Sequence, residues 1–264
     1  MYEFHQDLKH YFNMQYWTSR DSIMPILDKM ISVDSKTRVL ELGCAEAGVL
    51  KAFVERSCEC VGLDLSPLRI ESAKNFQPEA VASGQLRFIS KNVYDIDVQK
   101  DFGGPFDIIL LKDVIEHIPN QEKFIPVLKE YLKPGGILFF GFPPWQMPFG
   151  GHQQVCRSKI LSRLPWFHLL PKAIYRQILI WGKETEASLN EYLEIKDCGI
   201  SIERFERITN RAGFKTLKRI LYFTNPIYKY KFGLKERVWN SFMSSIPWVR
   251  NFYTTAAYYF LTKD

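Results

Sequence analysis

Arg38-Val-Leu-Glu-Leu-Gly-Cys-Ala-Glu-Ala-Gly48 decides the fold. It reads as a buried strand running into a glycine-containing turn, then a helix with Val49, Leu50, Phe53 and Val54 on one face. A second strand, Cys60-Val-Gly-Leu-Asp64-Leu65, ends on an acid. This is the layout of a nucleotide-type cofactor site. Glycine lets the backbone approach a ligand, and an acid after the second strand can accept from ribose hydroxyls.

Working outward, further strands are expected at Leu86–Ser90, Phe106–Leu111 and Ile137–Phe142. The unbroken apolar run of Phe106-Asp-Ile-Ile-Leu-Leu111 suits a parallel strand buried on both faces. Ser66-Pro67 supplies a helix cap followed by proline at the first helical position. Pro126 should kink a helix over Gln121–Tyr131 or mark its start, and Lys133-Pro-Gly-Gly136 reads as a turn. Five strand–helix alternations predict a doubly wound α/β sheet, with ligands at the carboxyl ends of the strands.

The 264 residues suit one large domain with an insertion. Residues 1–37 read as N-terminal helices, the second starting at Ser22, and residues 38–143 as the cofactor-binding core. Residues 144–200 show no strand pattern and read as a helical cap, with helices near Ser158–Leu164, Pro171–Trp181 and Glu184–Lys196. Residues 201–264 should hold a helix capped by Ser201 and ending near Gly213, then strands near Lys215–Phe223 and Thr254–Leu261.

Hydrophobic residues make up 46% and charged residues 24%, as in folded globular proteins. No uncharged apolar run reaches membrane-spanning length, and MYEFHQDLKHYF lacks the basic-then-apolar layout of a signal peptide. The five cysteines, an odd count without a C-x-x-C pair, argue against a disulfide framework or zinc knuckle and point to a cytoplasmic location. The net charge of +6 is uneven: from Glu203 onward there are 12 Lys/Arg and 4 Asp/Glu, leaving 23 and 25 for the remainder. That basic C-terminal region suits an anionic substrate, a peripheral membrane contact or nucleic acid, or an ordinary solvated face.

Three nucleotide sites compete. Gly43 and Gly48 have the P-loop separation, but Val49 and Leu50 stand where its lysine should be. The dinucleotide fingerprint needs a second glycine where Ala45 stands, and that glycine admits the pyrophosphate. A cofactor without phosphates tolerates the alanine better.

The order and spacing of Val39–Gly48, Val61-Gly-Leu-Asp64-Leu-Ser, Phe88-Ile-Ser-Lys-Asn92, Phe106–His117 and Leu132-Lys-Pro-Gly-Gly136 resemble the class I S-adenosylmethionine-dependent methyltransferases. The similar branch includes the ubiquinone-type O-methyltransferases and many bacterial small-molecule methyltransferases. The resemblance implies a seven-stranded Rossmann-like sheet with an antiparallel last strand, and S-adenosyl-L-methionine as cofactor. It puts Glu41 and Gly43 against the methionine part, with Cys44 and Gly48 in the same cofactor loop. Asp64 would take the ribose hydroxyls, Leu65 would pack on the adenine, and Asn92 with the Val93 backbone would meet the adenine amino edge. Lys112 and Asp113 would line the methyl-donor pocket, and Arg20 would reach the cofactor carboxylate. Ala45 and Ala47 depart from the family's more usual glycines.

An oxygen acceptor calls for a general base. His117 and His152 both follow strand ends; His152, after Gly150-Gly151, is the preferred catalytic residue, whereas a structural role ranks first for His117. Asp113, Glu116 and His117 have i, i+3, i+4 spacing and would share a face if that turn is helical, which leaves a divalent metal open. Pro143-Pro-Trp145 follows the fifth strand, not the fourth as in adenine N-methyltransferases, so nucleic acid is disfavoured. The cap aromatics Trp145, Phe149, Trp166, Phe167, Tyr175 and Trp181 suggest an apolar or sugar-stacking pocket, or simple core. The expected activity is methyl transfer to an oxygen of a small molecule, glycan or lipid-linked intermediate. The alternatives are an NAD-type oxidoreductase and a non-catalytic cofactor-binding or membrane-surface adaptor.

Overall fold

The computed structural model describes residues 7–263; the helical expectation for residues 1–6 lies outside them. The strands are β1 (Arg38–Leu42), β2 (Glu59–Asp64), β3 (Leu86–Ser90), β4 (Phe106–Lys112), β5 (Leu132–Phe142), β6 (Phe214–Thr224), β7 (Arg237–Val238) and β8 (Ala256–Lys263). They form one sheet in the order β3-β2-β1-β4-β5-β8-β6-β7. β1 to β5 pair in parallel, and β8 lies antiparallel between β5 and β6.

The expected antiparallel last strand is present, but the sheet has eight strands, not seven. The addition is the two-residue β7, which pairs at the edge through Tyr222↔Val238 and Thr224↔Arg237. It falls in a stretch that reads as loop because two residues carry no alternation. Lys133–Gly136 is drawn into β5 as an irregularity: Phe106 faces Leu132 and Ile108 faces Ile137, and Gly135 has φ +72°.

Parallel strands covered on both faces need apolar side chains at every position. In β4, Ile109 and Leu111 join the helices Gln121–Tyr131 and Ile202–Arg211 through Phe124, Leu128 and Phe205. Ile108 and Leu110 join the opposite layer, with Leu27, Leu50 and Phe53. The first helix, Leu8–Thr18, passes through a π turn at Ser19–Ile23 into Met24–Leu27; a fresh helix from Ser22 was expected. Pro25 explains the turn, because it has no N–H for the carbonyl four residues back. Pro126 does not mark a helix start; it lies inside Gln121–Tyr131. Ser66 and Ser201 cap their helices as expected, accepting from Arg69 N and Arg204 N.

The cap has a small core of its own, including Cys156, Leu161, Phe167, Tyr175, Leu179 and Tyr192. Its helices are Lys172–Trp181 and Glu186–Cys198; the helix expected at Ser158–Leu164 is only a 3-10 turn, Leu161–Arg163. Among the cap aromatics, Phe167 and Tyr175 are core, whereas Trp166 and Trp181 are exposed. His168, with no exposed surface, locks the cap to the end of β5. Its Nε2 lies 2.7 Å from the Trp145 carbonyl and so donates, which leaves Nδ1 to accept from Gln153 Nε2 at 2.8 Å.

Burial pulls the His168 imidazole down to about 4, against the hydrogen bond to Trp145, which raises it. The folded pKa lies below the ordinary one of about 6.5, so this contribution to stability is present above about pH 6.5 and is lost as pH falls towards 4. Melting followed by tryptophan fluorescence should therefore fall in midpoint across that window. His168→Ala, which takes the partner from the Trp145 carbonyl and one of two acceptors from Gln153 Nε2, should lower stability by about 1–3 kcal/mol at neutral pH and flatten the acid dependence.

Candidate functional site

The strand order reverses between β1 and β4, and the site lies at their carboxyl ends. Gly43, Ala45 and Ala47 have φ of +65°, +48° and +60°. Left-handed backbone costs an alanine roughly 1–2 kcal/mol. Here it is held by hydrogen bonds: Gly43 N and Cys44 N donate to Leu63 O, and Ala45 N donates to Asp64 Oδ2 at 2.9 Å. The other Asp64 oxygen accepts from Ser66 N at 2.8 Å. The two alanines thus keep a glycine-like conformation. Gly48 is needed for another reason: a Cβ there would lie 2.4 Å from the Phe12 carbonyl oxygen, where the helix Leu8–Thr18 crosses the turn.

Around this turn runs a cleft in two lobes that meet at Gly43. Glu41, Gly43, Cys44, Gly48, Lys112 and Asp113 line the first. Gly43, Asp64, Leu65, Asn92, Val93 and His117 line the second. Asp64 has spare lone pairs beside its two backbone bonds, and Leu65 is 70% exposed over the second lobe. The Asn92 carbonyl accepts from Tyr94 N, so its side chain also caps a turn.

The first lobe is charged and buried. Burial raises the Glu41 carboxyl well above the usual range, against the pull of Lys112, and its Oε2 has no hydrogen-bond partner. Burial pulls the Lys112 ammonium down, but Asp113 and Tyr11 outweigh it, and its pKa ends above the ordinary value. Lys112 Nζ donates to Asp113 Oδ2.

Arg20 was expected at the cofactor carboxylate. It lines neither lobe; its guanidinium donates to both Asp21 oxygens and lies 5.3 Å over the Tyr16 ring. The N-terminal helix instead presents Tyr11 and Gln15 to the first lobe, joined by Gln15 Nε2 donating to Tyr11 OH at 2.8 Å, and Arg69 lines it too. Gln15 could have been noticed, since it is a long polar side chain among the buried residues of that helix, with Phe12, Met14 and Thr18.

A second cavity shares Tyr11 and Asp113 with the first lobe and carries Glu116, Phe149, His152 and Lys231. The glycines before His152 are needed for close approach: a Cβ on Gly150 would lie 2.2 Å from Trp145 O, and one on Gly151 would lie 2.6 Å from His168 Cβ. His152 Nε2 lies 3.9 Å from Glu116 Oε1, and the His117 and His152 rings are 4.9 Å apart. Glu116 is buried with both oxygens unpartnered, and burial, then Asp113, raises its carboxyl well above the usual range. Lys231, from the C-terminal region, is pulled down to about 8 by burial, with Asp113 opposing. No sequence signal marks its approach to Asp113.

The metal-ligand set differs from the sequence expectation. Asp113 is left-handed, with φ +56°, and Ile115–His117 is a 3-10 turn, so i, i+3, i+4 spacing does not align Asp113 with the other two. The ligand atoms that converge are those of Glu116, His117 and His152, all within 4.8 Å of one another. A buried carboxylate with two orphaned oxygens beside two imidazoles fits a borderline divalent ion.

The profile of the family described as "Methyltransferase domain" matches residues 16–218. The ubiquinone biosynthesis O-methyltransferase of Coxiella burnetii is 30% identical over 114 residues, 43% of this chain and 46% of that protein. The protein of the same name from Chelativorans sp. is 32% identical over 102 residues, 39% of this chain and 38% of its own. The chain thus spans less than half the length of these curated relatives. A putative sarcosine dimethylglycine methyltransferase from Galdieria sulphuraria superposes with a TM-score of 0.59 at 12% identity, covering 93% of this chain and 85% of that one. The magnesium protoporphyrin IX methyltransferase of Synechocystis PCC 6803, solved with S-adenosylhomocysteine, gives 0.56 at 12% identity, covering 95% and 84%. The chain belongs to the methyltransferase domain family and has the Rossmann-like fold of the S-adenosylmethionine-dependent methyltransferases.

Proposed function

We propose that the protein transfers a methyl group from S-adenosyl-L-methionine to an oxygen of a small molecule, glycan or lipid-linked intermediate. One observation carries this reading: the two-lobed cleft and the His152 cavity meet at Tyr11 and Asp113, as donor and acceptor sites must for in-line displacement. Asp64 would bind the ribose, Leu65 would cover the adenine, and Lys112 with Arg69 would face the cofactor carboxylate. The O-methyltransferase relatives support oxygen as the acceptor atom.

In the reaction, an acceptor oxygen lone pair attacks the methyl carbon. The carbon–sulfur bond breaks, its electrons neutralise the sulfonium, and S-adenosylhomocysteine leaves. The sulfonium is a good leaving group, so alignment and exclusion of water dominate the protein's task. His152 takes the acceptor proton, with the Glu116 carboxyl behind it. In a metal-loaded form Glu116, His117 and His152 would instead hold a divalent ion, which would supply a Lewis acid for the acceptor oxygen, with His152 then a ligand and not the base.

S-adenosylhomocysteine should raise the melting temperature and NAD should not; the reverse result would favour the oxidoreductase reading. Asp64→Ala should weaken S-adenosylhomocysteine binding by about 10-fold or more, measured by calorimetry. His152→Ala should lower kcat by about 100-fold or more while leaving cofactor affinity unchanged; unaltered turnover removes His152 from the chemistry. If the Glu116–His117–His152 set carries an ion, EDTA should abolish turnover and a divalent metal should restore it. Full turnover in EDTA leaves His152 acting as a base alone.

A further inference from the structure

The 27 residues 157–183 of the cap hold six Lys/Arg and no Asp/Glu. All six cations are exposed, one of them, Lys172, paired with Asp197 at 2.6 Å. The same stretch exposes large apolar side chains: Ile160 at 78%, Ile174 at 50% and Trp181 at 74%, and Leu164, Trp166 and Ile180 are exposed as well. Scattered exposed apolar residues are ordinary, but this density among six cations, only one of them in an ion pair with an acid among the described residues, is not.

The helix Lys172–Trp181 buries Tyr175 and Leu179 in the cap core. Ile174 and Trp181, two turns apart, share a different side of it. A Cβ on Gly182 would lie 2.3 Å from Leu161 Cδ1, so the end of this helix abuts the turn that follows Ile160. Ser162 and Arg163 of that turn line an outer groove together with Phe232 and Leu234. The groove continues through Phe149, Tyr228 and Lys231 into the cavity that holds His152 and Asp113.

Tryptophan and aliphatic side chains set among lysine and arginine match the boundary of an anionic bilayer, where rings and chains enter the headgroup region and cations meet lipid phosphates. We propose that this face of the cap seats on an anionic lipid bilayer, with the groove mouth at the lipid, so that the acceptor is drawn from the membrane. The acceptor route rests on the methyl-transfer reading; the seating does not. The six cations of residues 157–183 place the contact in the cap, with the basic C-terminal segment contributing Phe232 and Leu234 to the groove.

Co-sedimentation of the full chain with vesicles of equal parts phosphatidylglycerol and phosphatidylcholine, against phosphatidylcholine alone, tests it. Binding is expected on the anionic vesicles only, weakened by salt. Lys159→Glu with Arg176→Glu, and separately Ile174→Ser with Trp181→Ser, should each weaken it by about ten-fold or more, with melting and S-adenosylhomocysteine stabilisation unchanged. Absence of wild-type binding, or equal binding by both variants, overturns the proposal. So does a dimer that Ile174→Ser with Trp181→Ser dissociates while vesicles are ignored, since the face would then serve a second copy. Vesicle binding without S-adenosylhomocysteine stabilisation would sink the methyl-transfer reading and leave the seating intact.

Discussion

The Asp64 carboxylate accepts the backbone N–H of Ala45 on one oxygen and of Ser66 on the other. That one group ties the turn after β1 to the end of β2 and stabilises the left-handed backbone at Ala45. Without it Ala45 would lose the side-chain bond that offsets its left-handed strain, and the floor between the two cleft lobes would rest on the backbone bonds to Leu63 alone. The same oxygens keep lone pairs for a ribose, so the support of the turn and the candidate grip on the ligand are one chemical group.

The sheet explains why everything of chemical interest collects at one end. Its faces are sealed by two apolar layers, so polar side chains can emerge only where strands stop. Glu41, Lys112, Asp113 and Glu116 all sit at or just beyond those ends, and burial raises the Glu41 and Glu116 carboxyls well above the usual range. The cap, with its own core pinned by a neutral His168, supplies His152 and Phe149 from above. The cap's outer surface is less settled by packing: Trp181 is 74% exposed there among cations of which Lys172 is held by Asp197, and that exposure directs attention to a partner outside the chain.

Much of this was legible in the sequence. β1, β2, β3 and β4 are short, strongly apolar and punctuated by turn residues, and local pattern suffices to find them. The helix caps at Ser66 and Ser201 are local as well. The less legible parts were decided by distant neighbours. β7 exists because the edge of β6 offers it hydrogen bonds. Arg20 turns to its adjacent Asp21, and Tyr11 with Gln15 takes the place expected of it in the cleft. Asp113 leaves the Glu116–His117 turn because its own backbone is left-handed, and His152, more than thirty residues away, replaces it.

By itself, then, the sequence determined the doubly wound sheet, the glycine-bearing turn with its acid at residue 64, and the family resemblance, because each depends on residues close together along the chain. Only the tertiary structure decided which side chains share a cavity. Lys231, Tyr11 and Asp113 are brought together by the docking of the N-terminal helix and the C-terminal segment onto the strand ends. No local spacing encodes such a meeting, because its geometry is set by how whole elements pack and not by the period of any one of them.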